Sequence, residues 1–383
     1  MTDLSAIRYF DHAATSWPKP SIVTEAMMSA MAEAGGNPGR SAHGLALAAA
    51  RAVEHGRTQV AALLGVDDQR DVAFVPGCTY GLNLALKGAL KRGDRVVVSA
   101  VEHNAVARPL AWLSTAGVKV ARVPADTQGL VDLDDLERVV AAAHTRMVVC
   151  QHASNVTGAI QPIGDIVDIA HEHGAVVVID GAQAAGHLSL SLSALGADAY
   201  VASGHKGLLG PQGIGVLYLA PGFEPNELVQ GGSGGRSEEV QQPRTRPDRY
   251  EAGTGNVIAA AGLGAAAEYL AAHGPEIRAR ECALARQLHE GLLELPGISV
   301  LGPGPLEERV PVVCIVHARL APDEMAFALD RRFGIAVRAG LHCSPWTHET
   351  VGTLETGALR FSLGWNTSAD DVEAALVAMR ELC

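Results

Sequence analysis

The stretch Ala197-Asp198-Ala199-Tyr200-Val201-Ala202 leads directly into Ser203-Gly204-His205-Lys206-Gly207. An apolar run that stops at a glycine-flanked lysine reads as a buried strand ending in a charged group. Burial strips water from the ammonium, lowers its pKa and suits the free amine to imine formation with an aldehyde. Most lysines at strand ends simply point into water, so the rest of the chain decides between the two readings.

Six more β-rich runs stand around it: Val72–Val75, Arg95–Val98, Val118–Ala121, Met147–Cys150, Ala175–Ile179 and Gly215–Leu219. Runs apolar on both faces are strands covered from both sides. Helical patterns lie between them, as at 132–143, where Leu133, Leu136, Val139 and Val140 share one face. The pattern predicts an α/β fold with a doubly wound, mostly parallel seven-stranded sheet. Ligands bind such sheets beyond the carboxyl ends of the strands.

Ahead of the sheet, 45–64 reads as one helix closed by Gly65. After it, Gly231-Gly232-Ser233-Gly234-Gly235 opens a polar stretch to Asp248 that reads as a flexible surface loop. Helices are expected at 258–273 and 277–295, β-rich pieces near 311–316 and 359–363, a helix at 323–332 closed by Gly334, and a last helix opened by a capping box at Ser368. This is the pattern of a smaller α+β C-terminal domain.

The chain has 383 residues and a net charge of −12, which disfavours nucleic acid and anionic membranes as partners. Residues 1–9 hold no signal-peptide core, and no run approaches the roughly 20 apolar residues of a membrane span, so a cytoplasmic location is the expectation. Six scattered cysteines without CxxC spacing indicate neither a disulfide framework nor a zinc ribbon.

The polar residues just past the strands carry the chemistry. Asp180-Gly181-Ala182-Gln183 follows one run directly. A carboxylate there needs a cation, and a protonated pyridine nitrogen is one; the plainer role is a helix cap. Pro76-Gly77-Cys78-Thr79 turns into a helix whose first amides, with the Thr79 hydroxyl, suit a phosphate. His103 follows the second run and Asn155 the fourth. A histidine there could lie flat on an aromatic ring or be an ordinary loop residue.

Taken together, Asp11-His12-Ala13-Ala14-Thr15, Glu102-His103-Asn104, Ser154-Asn155-Val156-Thr157-Gly158, Asp180-Gly181-Ala182-Gln183, Ser203-Gly204-His205-Lys206, Glu251-Ala252-Gly253-Thr254, Arg338-Ala339-Gly340-Leu341-His342-Cys343 and Arg360-Phe361-Ser362-Leu363 resemble the class V aminotransferase branch of fold-type I pyridoxal-phosphate enzymes. Within it they are similar to the cysteine desulfurase and selenocysteine lyase family of the NifS/Suf type. The resemblance implies a fold-type I large domain over 16–257 and a small domain from 1–15 and 258–383. It makes Lys206 the residue that carries pyridoxal 5'-phosphate, Asp180 the partner of the ring nitrogen and Gln183 that of the ring phenol oxygen, with His103 stacked on the ring. It places the phosphate on Thr79, Ser203, His205 and, from a neighbouring subunit of a homodimer, Thr254. Asn155 and Arg360 would take the substrate carboxylate, with Arg338 beside them. Cys78 stands where many relatives have a first hydroxyl residue of the phosphate turn.

Cys343 lies in a Gly/Pro-bounded loop near Arg338 and His342, where positive charge favours thiolate. The resemblance makes it the sulfur-accepting nucleophile, and its short spacing to Arg360 resembles the Suf-type members. The implied reaction converts L-cysteine to L-alanine with a persulfide on Cys343, passed on to a sulfur-acceptor protein. Alternatives are a selenocysteine lyase acting on L-selenocysteine, an aminotransferase or epimerase, or a cofactor-free sulfur-transfer scaffold. A zinc site at His342, Cys343 and His348 lacks a fourth ligand.

Overall fold

A computed structural model of the protein describes residues 7–39, 42–232 and 238–383. After a two-residue strand β1 (Arg8–Tyr9), helices α1 (Ser21–Glu33) and α2 (Gly44–Leu63) precede the main sheet. The sheet is built from β2 (Val72–Val75), β3 (Arg95–Ser99), β4 (Lys119–Val123), β5 (Met147–Gln151), β6 (Val176–Asp180), β7 (Ala199–Ser203) and β8 (Gly215–Leu219). Between them run α3 (Cys78–Ala89), α4 (Asn104–Thr115), α5 (Leu133–Ala141), α6 (Ile163–Glu172) and α7 (Leu192–Leu195). All seven apolar runs are strands, in the order β2-β8-β7-β6-β5-β3-β4, with β8 alone antiparallel to its neighbours. Side chains alternate across the sheet, so one row (Val97, Val148, Ile179, Tyr200) enters the core on one face and the other (Val96, Val149, Val178, Val201) the core on the opposite face.

The long helix α8 (Val257–Leu293) replaces the two shorter helices expected around Pro275. Proline removes an N–H and normally kinks or ends a helix. Here burial on both sides holds the axis together: Leu263, Ala266, Leu270 and Ile277 pack in the core under the main sheet, and Leu284, Leu288 and Leu292 in the C-terminal core. α2 crosses α8 closely enough that a Cβ on Gly56 would lie 2.5 Å from the Ala260 carbonyl oxygen, so only glycine fits there. Gly65, at φ +62°, ends α2 as its C-terminal glycine.

The C-terminal part holds β9 (Ile298–Leu301), β10 (Val312–His317), α9 (Pro322–Phe333), β11 (Ile335–Ala336), β12 (Arg338–Gly340), α10 (Pro345–Thr350), β13 (Ala358–Ser362) and α11 (Ala369–Leu382). Four of its strands form an antiparallel sheet in the order β12-β13-β10-β9. The amino-terminal segment joins this part: β1 pairs with β11, and Phe10 is fully buried in its core. Of the glycine-rich opening of the loop after β8, residues 233–235 lie outside the described residues. The later loop is anchored: Arg246 donates to the Leu219 and Phe223 carbonyls and pairs with Asp71 at 2.8 Å. Among the described residues no helix is long and apolar enough to cross a membrane.

Candidate active site

A cavity of about 210 Å³ lies beyond the carboxyl ends of the parallel strands. β7 delivers Ser203, His205 and Lys206 to it, β6 Asp180, β5 Asn155, and β3 His103; β2 turns through Gly77 into Cys78 and Thr79 at the start of α3. The C-terminal sheet adds Arg338 from β12 and Arg360 from β13.

The backbone under Lys206 is pinned. The His205 carbonyl accepts from the Ser16 N–H at 2.8 Å, the Thr15 and Ser16 hydroxyls at 3.2 and 3.1 Å, and the Lys19 ammonium at 3.1 Å. Burial pushes the Lys206 amine below its usual range, with Asp180 acting in the opposite sense. Both hydrogen bonds of the buried Asp180 side chain, among the described residues, fall on Oδ1: the Cys78 thiol donates at 3.3 Å and the Ala182 N–H at 3.0 Å. Burial raises the Cys78 thiol well above its usual range, so it remains a neutral donor. The Ala182 contact is the cap-like one that an aspartate before a turn makes; the thiol contact was not visible in the spacing.

His103 is the N-cap of α4, and its Nδ1 accepts from the Ala105 N–H at 3.0 Å. Burial holds its pKa down to about 4, so the ring is neutral and its one proton sits on Nε2. Behind it Glu102 is fully buried, and desolvation raises its carboxyl to about 8. Glu102 Oε1 accepts from the Ser99 hydroxyl and the Gln151 N–H, and Gln151 pairs in register with Asp180. The turn that carries His103 is thereby tied to the strand beside Asp180.

Arg338 and Arg360 stand opposite each other in the β12–β13 pair. Arg360 is 1% exposed; Nη2 donates to Asp11 at 2.6 Å and Nη1 to the Asn155 carbonyl at 3.2 Å, while Nε has no partner among the described residues. Two guanidiniums beside one carboxylate leave positive charge at this end of the cavity, suited to an incoming carboxylate.

Cys343 is exposed, and Arg338 Nη2 lies 3.7 Å from its sulfur. His342 and Cys343 both adopt left-handed backbone, at φ 50° and 59°. Three contacts hold them there: the Asn104 N–H donates to the Cys343 carbonyl at 2.8 Å, Asn155 Nδ2 to the His342 carbonyl at 2.7 Å, and the Ser344 hydroxyl to Asn155 Oδ1 at 2.7 Å. The Asn155 side chain thus clamps the residues on either side of the cysteine.

Three expected residues are not on the cavity wall: Gln183, Thr254 and Cys343, which stands beside it next to Arg338. Gln183 sits just behind it, its amide donating to the Ala13 carbonyl at 2.9 Å. Thr254 lines a different cavity of its own chain, with Tyr80, Glu251 and Asn256. Asp11, Asn104, Lys19 and Thr353 support the site without an expected role in it, and His348, weighed only as a zinc ligand, supports it as well. Asp11 and Asn104 both stand in the sequence signatures, but the backbone bond of Asn104 has no side-chain signal at all.

The family model for class-V aminotransferases matches residues 8–375. A cysteine desulfurase of Synechococcus elongatus is 36% identical over 390 residues, covering 98% of this chain, which spans 60% of that relative's length. A probable cysteine desulfurase of Vibrio cholerae is 34% identical over 385 residues, covering 97% of this chain and 93% of the relative. Among solved structures, the apo cysteine desulfurase of Thermococcus onnurineus superposes with a TM-score of 0.92 at 33% identity, covering 99% of this chain and 95% of that one. Members of this family are pyridoxal-phosphate-dependent enzymes, and a match running from β1 into α11 leaves one assignment: the chain belongs to the aminotransferase class-V family.

Proposed function

We propose that the protein is a pyridoxal-phosphate-dependent cysteine desulfurase that moves the sulfur of L-cysteine onto Cys343 and releases L-alanine. The observation that carries this reading is an exposed thiol, Cys343, held beside the cavity that Lys206, Asp180 and Arg360 line.

The donor set fits the cofactor. At one end the first amides of α3, which have no helical carbonyl to meet, join Thr79, Ser203 and His205, whose Nδ1 is buried without a partner among the described residues. This suits a phosphate, with Thr254 supplied by a neighbouring subunit of a homodimer. Asp180 would take the ring nitrogen, Gln183 the phenol oxygen, His103 the ring face and Lys206 the aldehyde carbon. When bound, the cofactor supplies an electron sink for negative charge at the substrate Cα.

The chain's own residues do the rest. Arg360 and Arg338, with Asn155, orient the substrate carboxylate. The Lys206 amine, kept low in pKa by burial, takes the Cα proton. The Cys343 thiolate attacks the substrate sulfur; an S–S bond forms as the Cβ–S bond breaks, and the electron pair left on the carbon skeleton takes up a proton. His103, whose Nδ1 is taken by the Ala105 N–H, would move a proton through Nε2 in these steps. L-cysteine and the Cys343 thiol thereby become L-alanine and a Cys343 persulfide, which passes to an acceptor protein in the cytoplasm. Residues 16–257 would form the cofactor-binding unit and 1–15 with 258–383 the small one, whose helix α8 reaches back into the core under the main sheet.

Alanine release from L-cysteine and from L-selenocysteine, by wild type and Cys343→Ala, tests the reading. We expect Cys343→Ala to lose turnover on L-cysteine; undiminished turnover on both substrates would point to a lyase instead.

A further inference from the structure

Buried behind Cys343 is a chain of polar groups that the proposed chemistry does not use. His342, His348 and Thr353 are 3%, 0% and 7% exposed. His342 Nε2 lies 3.2 Å from the Arg338 carbonyl, His342 Nδ1 lies 3.2 Å from His348 Nε2, and His348 Nδ1 lies 2.7 Å from the Thr353 hydroxyl.

One fixed acceptor settles the direction of every bond. A carbonyl can only accept, so His342 carries its proton on Nε2, and its Nδ1 must accept. His348 then donates from Nε2, its own Nδ1 accepts, and the Thr353 hydroxyl donates to it. Burial keeps both rings neutral, His342 at about 3 and His348 at about 4, as this order requires. The two rings are also stacked, 22° from parallel. Backbone bonds close the unit: Ser344 N–H to the Leu341 carbonyl at 2.8 Å, His348 N–H to Ser344 at 3.2 Å, and Thr353 N–H to His348 at 2.8 Å.

This unit meets Cys343 at its weakest point. Left-handed backbone is disfavoured for residues with a Cβ, and here two occur in succession. Asn155 and Asn104 hold the loop from the side of the main sheet; the imidazole chain holds it from the other, through the His342 ring. Released from His348, that ring could turn, and the loop could relax toward ordinary φ with the thiol displaced from Arg338.

We infer that His348 and Thr353 are positioning residues for the Cys343 thiol, acting through the His342 ring. For the sulfur step this rests on the proposed role of Cys343; for thiol placement it does not. His348→Leu removes both the donor and the acceptor, whereas His348→Gln can keep both. Thr353→Val removes only the hydroxyl in a side chain of the same shape.

The test compares these variants by denaturant unfolding, by iodoacetamide alkylation of Cys343 followed by mass spectrometry, in the cofactor-free and the loaded chain, and by steady-state alanine release from L-cysteine. For His348→Leu we expect kcat about tenfold lower, KM within about twofold, and an alkylation rate changed by at least about threefold in both forms. Thr353→Val should shift kcat and alkylation in the same direction by about threefold, and His348→Gln should stay within about twofold of wild type. If His348→Leu does not fold, Thr353→Val against wild type decides. Wild-type alkylation and kcat in folded His348→Leu, or a folded His348→Gln as impaired as the leucine variant, would overturn the inference. A wild-type protein that releases alanine with no sulfur on Cys343 would instead overturn the proposed function, and the alkylation rates would still decide this inference.

Discussion

The main-chain N–H of Asn104 donates to the carbonyl of Cys343 at 2.8 Å. Asn104 is the first residue of α4 and follows His103, so one backbone bond couples the proposed nucleophile to the turn that holds the histidine proposed to stack on the ring. The bond can be removed by Asn104→Pro, with alanine at the same position as the control for the lost side chain. Proline is tolerated at the first position of a helix, and His103, at φ −70° and ψ 155°, already has the conformation that a following proline prefers. Asn104→Pro should therefore leave the fold intact yet lower the rate of sulfur transfer to Cys343 by about three- to tenfold, whereas Asn104→Ala, which keeps the N–H, should stay within about twofold. Single-turnover measurement of sulfur on Cys343 checks both.

Asp11 neutralises a guanidinium that is 1% exposed. Removing one partner of a buried ion pair costs about 3–5 kcal/mol because the other is left uncompensated. Asp11→Ala should lose stability at the lower end of that range, since Asp11 itself is partly exposed and Arg360 keeps its bond to the Asn155 carbonyl. It should also raise KM for L-cysteine, because Arg360 is no longer aimed. Urea unfolding and steady-state kinetics read the two effects separately.

Cys78 stands in the turn proposed to hold the phosphate, yet its S–H faces Asp180 Oδ1 at 3.3 Å and the Val201 carbonyl at 3.4 Å. Cys78→Ala should cost about 1–3 kcal/mol, the range for a lost hydrogen bond to a buried acceptor, and should loosen the retention of pyridoxal phosphate on dialysis. Cys78→Ser keeps a donor and should lie between alanine and wild type on both counts. A folded Cys78→Ala that retains cofactor and stability like wild type would show the contact to be idle.

Burial lowers the pKa of His12 to about 3, His103 to about 4, His152 to about 4 and His342 to about 3. Unfolded, these histidines take up protons near pH 6.5. Between that value and their folded values the unfolded chain binds more protons, so stability falls as pH drops from about 6.5 toward 4, by up to about 1.4 kcal/mol per pH unit per group. Glu102 works the other way: raised to about 8, it holds a proton in the folded state that the unfolded chain releases, so its contribution declines as pH rises from about 4.5 to 8. With His205, His289 and His348 also held down to about 4, the histidines outweigh one carboxyl on the acid side, and urea midpoints should climb steeply from pH 4.5 to 6.5.

Much of this architecture was legible in the residues because strands buried on both faces become near-continuous apolar runs, and the seven runs mark the seven strands of the main sheet. The polar residues just past them reach one cavity because parallel strands share an edge. Other features had no one-dimensional signal. α8 continues through Pro275 because distant cores grip both its halves. His342 and His348 stack across a turn at a spacing that no regular element would pair, and the bond from Asn104 to Cys343 joins backbone atoms that carry no residue identity. Thr254 lies away from its own chain's cavity and lines a second one with Tyr80 and Glu251, a placement that its neighbours in sequence do not signal.

The central claim is that sulfur passes from L-cysteine to Cys343. Incubating the loaded enzyme with L-cysteine, then measuring the mass of the Cys343 peptide and the alanine released, tests it most directly. The account predicts the mass of at least one added sulfur atom on Cys343, alanine formed with it, and neither in Cys343→Ala. Alanine released at the wild-type rate by Cys343→Ala, with no sulfur found on Cys343 of the wild type, would contradict it.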